Sequence, residues 1–433
     1  MAIQALLVIL AVLLVLLFLG VPISYAIAVS SLTAILSSID LNVAVLTAAQ
    51  RTFVGMSKFS LTAIPFFILA GNIMNQGGIA KRLVDFVMSI LGKLPGALLI
   101  TNIGTNALFG AISGSASAAA AAVGSMIRDG AEEQGYDPAV TAATNAASSC
   151  SGLLIPPSNA LITYSLASGG TSVAALFMAG YVPGIIWALA CAVVGVILAK
   201  KLGYKGTPGK FDWKNLGVCT LRALPSLSLI IVVIGGIVGG VFSATEGSAI
   251  AVVYALILAF CYRSINLKSL WKIIVDSAKM SGMVVFLVGV SNILGWVMAF
   301  LQIPDAVAAL LLGLTNNKYI ILLIMNVILL VSGTFMDVTP AILIFTPLFL
   351  PICQSFGMST IQFGLILVYN LCIGNITPPV GNALFVGIKV GRTSLEKILP
   401  YMLMYYVAII GGLLLVTYIP AVSMALPQLT GLV

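Results

Sequence analysis

Ser149-Cys150-Ser151-Gly152-Leu153-Leu154-Ile155-Pro156-Pro157-Ser158-Asn159 interrupts an apolar run with residues suited to one kind of chemistry. Two adjacent prolines remove two backbone donors and clash with the preceding turn, so a helix arriving there has to stop. Stopping leaves carbonyl oxygens without intrahelical partners, and beside hydroxyls they suit a small hard cation. The N-terminus of the helix that restarts suits an anion. A second copy, Leu371-Cys372-Ile373-Gly374-Asn375-Ile376-Thr377-Pro378-Pro379-Val380-Gly381-Asn382, lies 222 residues further on (372 less 150).

Each break is preceded by a stretch of small and polar residues. Gly110-Ala111-Ile112-Ser113-Gly114-Ser115 sits within the uncharged positions 95–127, and Ser332-Gly333-Thr334-Phe335-Met336-Asp337 within a second apolar segment. These read as tips of re-entrant hairpins, whose irregular backbone is tolerated at membrane depth where it lines a polar cavity. One sodium site is expected where Ala111, Ser113, Gly114 and Ser115 meet Ser149, Gly152 and Ile155. A second is expected where Gly333, Thr334, Met336 and Asp337 meet Gly374 and Thr377. An organic anion would bind between them, near Asn106, Ser158, Asn159, Asn375 and Asn382. Glycine and serine in membrane helices more often serve close packing, and proline often only kinks. Recurrence of both features at one offset favours a binding cavity.

Two carboxylates fall at membrane depth, where an ionised group is costly unless paired or hydrated. Asp337, beside the second tip, reads as a cation ligand or its support. Glu246, directly before an apolar run, reads as a helix cap. The chain has no histidine, Walker A stretch, GxSxG elbow or metal-ligand cluster, so neither ATP hydrolysis nor a hydrolase site is supported, and no covalent cofactor is expected. Six scattered cysteines without a CxxC pair say nothing about redox or metals.

The elements that must position these residues follow from composition. Of 433 residues, 61% are hydrophobic and 7% charged, too apolar for a soluble fold. The fold class expected is an all-α polytopic membrane protein of two inverted-topology repeats. Residues 1–200 form repeat one, with apolar segments at 3–19, 21–37 and 59–76 and a loop with some interfacial helix at 39–58. An amphipathic surface helix at 80–93, a hairpin at 95–128, a broken helix at 138–168 and a span at 174–199 complete it. The opening apolar stretch reads as a retained helix rather than a cleaved signal. Residues 201–222 form a cytoplasmic linker. Repeat two, 223–433, has spans at 223–242, 244–262 and 281–300, a hairpin at 319–350, a broken helix at 360–389 and a span at 398–419.

Five crossings per repeat invert the second copy, and the charges test this separately. With the linker inside, 17 of the 20 basic residues fall on the cytoplasmic side and only Arg51, Lys58 and Lys318 outside. The net charge of +8 is thereby read as a topology signal, with no nucleic acid implied. Both termini are then outside, the first hairpin opens to the cytoplasm and the second to the exterior.

Taken together, Gly110 to Ala116, Ser151 to Ser158, Ala244-Thr245-Glu246 and Gly374 to Gly381 resemble the large membrane subunit of the tripartite ATP-independent periplasmic (TRAP) transporters, over essentially the whole chain. The resemblance implies sodium-coupled uptake of an organic acid, such as a C4-dicarboxylate or sialic acid, across the bacterial inner membrane. It implies delivery by a periplasmic substrate-binding protein and a small four-helix membrane subunit as a separate partner. It also implies an elevator motion of a transport domain against a scaffold, with sodium at the tips and breaks. A stand-alone sodium-coupled dicarboxylate or citrate carrier is the alternative, and an ion channel is disfavoured by two blind hairpins.

Overall fold

The computed structural model describes residues 2–206, 212–315 and 317–433, and all regular structure there is helical. Lys210 of the expected linker lies outside the described residues. The first half opens with α1 (Ala2–Phe18) and α2 (Ile23–Ile35), then α3 (Leu41–Met56) and α4 (Ala63–Gln76), which meet at a 59° bend. Next come α5 (Ile79–Leu91), the hairpin arms α6 (Ala97–Ser113) and α7 (Ala116–Glu133), and the broken helix α8 (Pro138–Ser149), α9 (Ser151–Leu154) and α10 (Asn159–Ala167). The half closes with α11 (Val173–Leu202).

The second half runs α12 (Trp213–Val238), α13 (Ala244–Cys261), α14 (Leu267–Phe300) and α15 (Ile303–Leu314). A hairpin of α16 (Lys318–Gly333) and α17 (Val338–Ser355) follows, then a broken helix of α18 (Thr360–Asn375) and α19 (Asn382–Val390). Last are α20 (Leu395–Tyr418) and α21 (Pro420–Leu429). Starts of α7 and α17 (338 less 116), α8 and α18 (360 less 138), and α11 and α20 (395 less 173) are each 222 residues apart.

Six helices, α11, α12, α13, α14, α17 and α20, are long and apolar enough to cross a membrane singly, and the bent pair α3–α4 makes seven. Exposed apolar side chains such as Leu7, Phe53, Ile231 and Val407 are what a lipid-facing surface requires. Arms α6 and α16 and the half-helix α18 fall short of full-span length. Arm α17, expected as half a hairpin, reaches it. Ten crossings thus depend on joining short helices across their breaks, not on helix length alone.

Several boundaries differ from expectation for local reasons. Residues 39–58 are mostly the helix α3, because Gly55 lets its backbone close on α14: a Cβ there would lie 2.6 Å from Asn292 Nδ2. Residues 213–222, expected as linker, are the first turns of α12, started by the Asp212 carboxylate accepting from the N–H of Lys214 and Asn215 at 3.0 Å each. Helix α14 begins fourteen residues before 281, at Leu267, behind a capping box of Asn266 and Ser269. Helices α15 and α21 were not anticipated. The amphipathic segment 80–93 is α5, burying Ile79, Ala80, Leu83 and Val87 on one side.

Packing exchanges elements between the halves. Helix α2 packs on α14 and α4 on α13, while α1 packs on α15 and α5 on α12. Likewise α10 packs against α17, and α19 against α7 and α8. Cys150 and Cys372, 222 residues apart, are both buried, and the Asn375 amide of the second break reaches Cys150 Sγ of the first at 3.8 Å.

Candidate functional site

Both hairpin tips reach their broken helices through paired glycines. A Cβ at Gly110 would lie 2.5 Å from Gly152 Cα, and one at Gly374 would lie 2.5 Å from Gly333 Cα. No side chain can be accommodated at Gly110, Gly152 or Gly374, where glycine is required by contact and not by dihedral angle, whereas a Cβ at Gly333 would find its nearest atom at 3.3 Å. Each break carries one cis bond, Pro156–Pro157 and Pro378–Pro379.

At the first tip, Gly114 adopts φ +61°, turning the chain so that Ser115 starts α7 with its hydroxyl accepting from Ala118 N at 3.3 Å. The Ser113 hydroxyl donates to Ser115 O at 3.5 Å. Opposite, the Asn159 amide donates to Gly114 O at 3.4 Å, tying the restart of the broken helix to the tip. Asn159 Oδ1 is buried with no donor among the described residues. An acceptor oxygen left without a donor beside a carbonyl is a donor set that fits a hard cation. Ala111, Ser149 and Gly152 are buried here and Ile155 is half-buried, with the Ser149 hydroxyl donating to Ala146 O at 2.8 Å.

At the second tip the tie is backbone, Val380 N–H donating to Thr334 O at 3.2 Å. Gly333 and Gly374 are buried, Thr334, Met336 and Thr377 half-buried, and Asp337 exposed. Asp337 holds the N-cap position of α17, yet its carboxylate has no partner among the described residues. The Thr377 hydroxyl donates to Ile373 O at 2.6 Å, and the Tyr406 hydroxyl of α20 to Ile376 O at 2.6 Å.

The five residues expected to meet an anion are dispersed. Asn106 is fully buried between α6 and α8, donating to Asn102 Oδ1 at 2.7 Å and Ser148 Oγ at 2.8 Å. Ser158 is buried as the N-cap of α10, donating to Leu153 O and accepting from Leu161 N. Asn375 is buried where the breaks cross, near Cys150 Sγ at 3.8 Å. Asn159 borders the first tip, and Asn382 is exposed in the first turn of α19. Glu246 is structural: its Oε2 accepts from Ser243 N at 2.7 Å while Ser243 Oγ accepts from Glu246 N at 3.2 Å.

Sequence reasoning missed two things here. A buried amide bridge ties the first hairpin arm to the broken helix in both halves, through Asn106 and Asn145 in one and Asn326 and Asn370 in the other, the latter at 2.8 Å. Asparagine inside an apolar helix was the available signal. The Tyr406 contact carried none. Among the described residues no three His, Cys, Asp or Glu side chains converge, so the oxygen donors at both tips are carbonyls, hydroxyls, amides and one carboxylate.

The family described as tripartite ATP-independent periplasmic transporter, DctM component, matches residues 10–422. The isethionate TRAP transporter permease DctMQ of Oleidesulfovibrio alaskensis is 38% identical over 94% of the chain, which spans 64% of that protein. The C4-dicarboxylate TRAP large permease DctM of Pseudomonas aeruginosa is 37% identical over 93% of each chain. The sialic acid TRAP large permease SiaM of Vibrio cholerae is 32% identical over 96% of each. Among solved structures, the YdaH transporter of Alcanivorax borkumensis is similar in fold, with a TM-score of 0.64 and 15% identity over 88% of each chain.

Proposed function

The chain belongs to the DctM component family of tripartite ATP-independent periplasmic transporters, a transporter component and not an enzyme, and on that premise we propose that it imports an organic acid with sodium. The carboxylate-type relatives support the class: a C4-dicarboxylate, a sialic acid or a related small acid. One sodium would be held around Ser113, Gly114, Ser149, Gly152, Ile155 and the spare Asn159 oxygen. Another would be held around Gly333, Thr334, Met336, Asp337, Gly374 and Thr377. The acid would meet Asn159 and Asn382, with Ala111, Ser115, Asn106, Ser158 and Asn375 supporting the backbone around it.

The observation that carries this reading is the doubled glycine contact of tip with break, with Asn375 of the second break reaching Cys150 Sγ of the first. Two half-helix ends per repeat aimed at one region supply both cation and anion ligands, as inverted-repeat carriers do. The two halves would then be inverted copies, with tips and breaks moving as one block against α1 to α5 and α12 to α15. A small membrane subunit is the expected partner, because the family is one component of a tripartite system. A periplasmic binding protein would deliver the acid at the inner membrane.

The test is uptake into proteoliposomes holding this chain and its small subunit, with and without an inward sodium gradient and a binding protein. Uptake that needs both is expected. Sodium-driven uptake without the binding protein would replace this reading with a stand-alone carrier, and downhill flux indifferent to sodium would replace it with a channel.

A further inference from the structure

Away from the tips, a cavity of about 450 Å³ opens between the helices α3 and α14 on one side and α10 and α17 on the other. Its size lies within the roughly 300–1,000 Å³ of small-molecule sites. Arg51 of α3 and Lys58, two residues past its end, line it with Asn292 and Trp296 of α14, and no carboxylate does. Only three of the 20 basic residues fall on the side that the charge distribution assigns to the exterior, and two of them are in this one cavity.

Position follows from the helix crossing. Gly289 of α14 meets α3 so closely that a Cβ there would lie 2.5 Å from Met56 Cγ, and Gly55 is its counterpart on α3. Arg51 is one turn from Gly55 along the same side, and Trp296 is two turns from Gly289. The guanidinium carbon accordingly sits 5.9 Å from the indole centroid. Among the described residues neither Arg51 nor Lys58 forms an ion pair. Ser291 Oγ and Asn292 Nδ2 donate to carbonyls of their own helix, Leu287 O at 2.7 Å and Val288 O at 2.8 Å. The two cations are therefore the charged donors left for a ligand. Arginine's planar fork pairs with a carboxylate or sulfonate, and the indole face covers the guanidinium from behind.

We propose that this cavity is a waiting site, in which Arg51 and Lys58 hold the small organic anion before it reaches the hairpin tips. The proposal rests on the transport reading above for its ligand class. Leu343 and Pro347 of α17 lie six and ten residues beyond Asp337, or about 9–15 Å along the helix, so the site is separate from the second tip. Most of its wall comes from α3, Lys58 and α14, and the rest from α17 and the end of α10, which continue from the tip and the break. An anion bound here touches both the part proposed to stay and the part proposed to move.

The test uses the complex of large and small subunits in lipid nanodiscs and proteoliposomes, with succinate, isethionate and N-acetylneuraminate as probes. Trp296 emission should change saturably with one of them, and Trp296→Phe should abolish the change. Arg51→Gln with Lys58→Gln should raise the apparent KM for uptake roughly tenfold, the loss of a charge-assisted hydrogen bond, with maximal rate and sodium activation unaltered. Gly295 lines the cavity with nothing within 4 Å of where its Cβ would be, so Gly295→Leu fills the space while keeping both cations and should raise KM likewise. Sodium-driven uptake with unchanged KM in these variants and no Trp296 response overturns the waiting site and leaves the transport reading intact. A Trp296 response without sodium-driven uptake does the reverse. A response that follows the anionic-lipid content of the disc instead of dissolved acid overturns the proposal in favour of a headgroup.

Discussion

The two tip-and-break units share a backbone plan and differ in how much of their polar surface is already used. In the first, Ser115 and Ser158 cap the helices that leave the tip and the break, and every residue from Ala111 to Gly114 is buried. In the second, Asp337 stands at the equivalent cap position without a partner, and Pro379, Val380 and Asn382 are exposed. The tip–break tie is a side-chain amide in one and a backbone N–H in the other. Unit one is closed by its own hydrogen bonds, whereas unit two is held in shape with ligands to spare. The coupled carrier proposed above would need one element that opens and one that supports it, and unit two has the looser construction that opening requires.

The sharpest way to break this comparison is through the glycine pairs, which it treats as unequal. A Cβ at Gly374 would strike the backbone of Gly333, which has no flexible end to yield, while a Cβ at Gly333 would find its nearest atoms at 3.3 and 3.4 Å. Gly374→Ala should destabilise the complex by about 1–3 kcal/mol and abolish uptake, whereas Gly333→Ala should leave both near wild type. Gly152→Ala should match Gly374→Ala. Thermal unfolding of the purified complex measures the first effect and proteoliposome uptake the second. Equal tolerance at Gly374 and Gly333 would mean that the tips do not press on the breaks as described.

Next in size are the polar groups. Asp337→Ala and Thr377→Ala should raise the sodium concentration for half-maximal uptake by about tenfold or more, the scale for losing a ligand or a group that orients one, with unfolding temperature retained. Ser158→Ala should do the opposite, costing about 0.5–2 kcal/mol of stability through the lost cap of α10 while sodium dependence stays put. If Ser158→Ala shifted sodium dependence and Asp337→Ala shifted only stability, the assignment of closed and open units would be reversed.

Most of this plan was legible because helix breakers are local. Pro156-Pro157 and Pro378-Pro379 end helices wherever they occur, and Gly114 turns a chain regardless of its neighbours, so the helix ends beside them could be placed to within a few residues. What escaped depends on contacts between distant segments. Helix α3 read as a loop because Arg51 and Lys58 interrupt its apolar pattern, and it is the crossing at Gly55 and Gly289 that gives those charges a place. Read as topology signals alone, they gave no hint of a shared cavity. Asn106 reads as a residue near the anion, and in the structure its amide also bridges α6 to α8. Asn326 and Asn370 do the same for α16 and α18 and attracted no notice without a neighbouring break.

The smallest expected effect isolates a difference that the repeats cannot share. Gly184 and Tyr406 occupy equivalent places on α11 and α20, 222 residues apart. Gly184 packs its backbone against Ile155 at the first break, and Gly180, a turn earlier, sits against Leu154 O. At the second break the larger residue reaches in, and its hydroxyl donates to Ile376 O. Ile376 O adjoins Thr377 of the proposed second sodium site, and a carbonyl that already accepts a hydrogen bond is a weaker ligand for a cation, because one lone pair is engaged and its charge partly neutralised. Tyr406→Phe frees that lone pair without emptying the space. It should cost about 0.5–1.5 kcal/mol of stability and lower the half-maximal sodium concentration by roughly twofold. An increase instead would mean that the hydroxyl positions the carbonyl for the ion and does not compete with it, which would make Tyr406 part of the support for the second site and unit two less open than its exposure suggests.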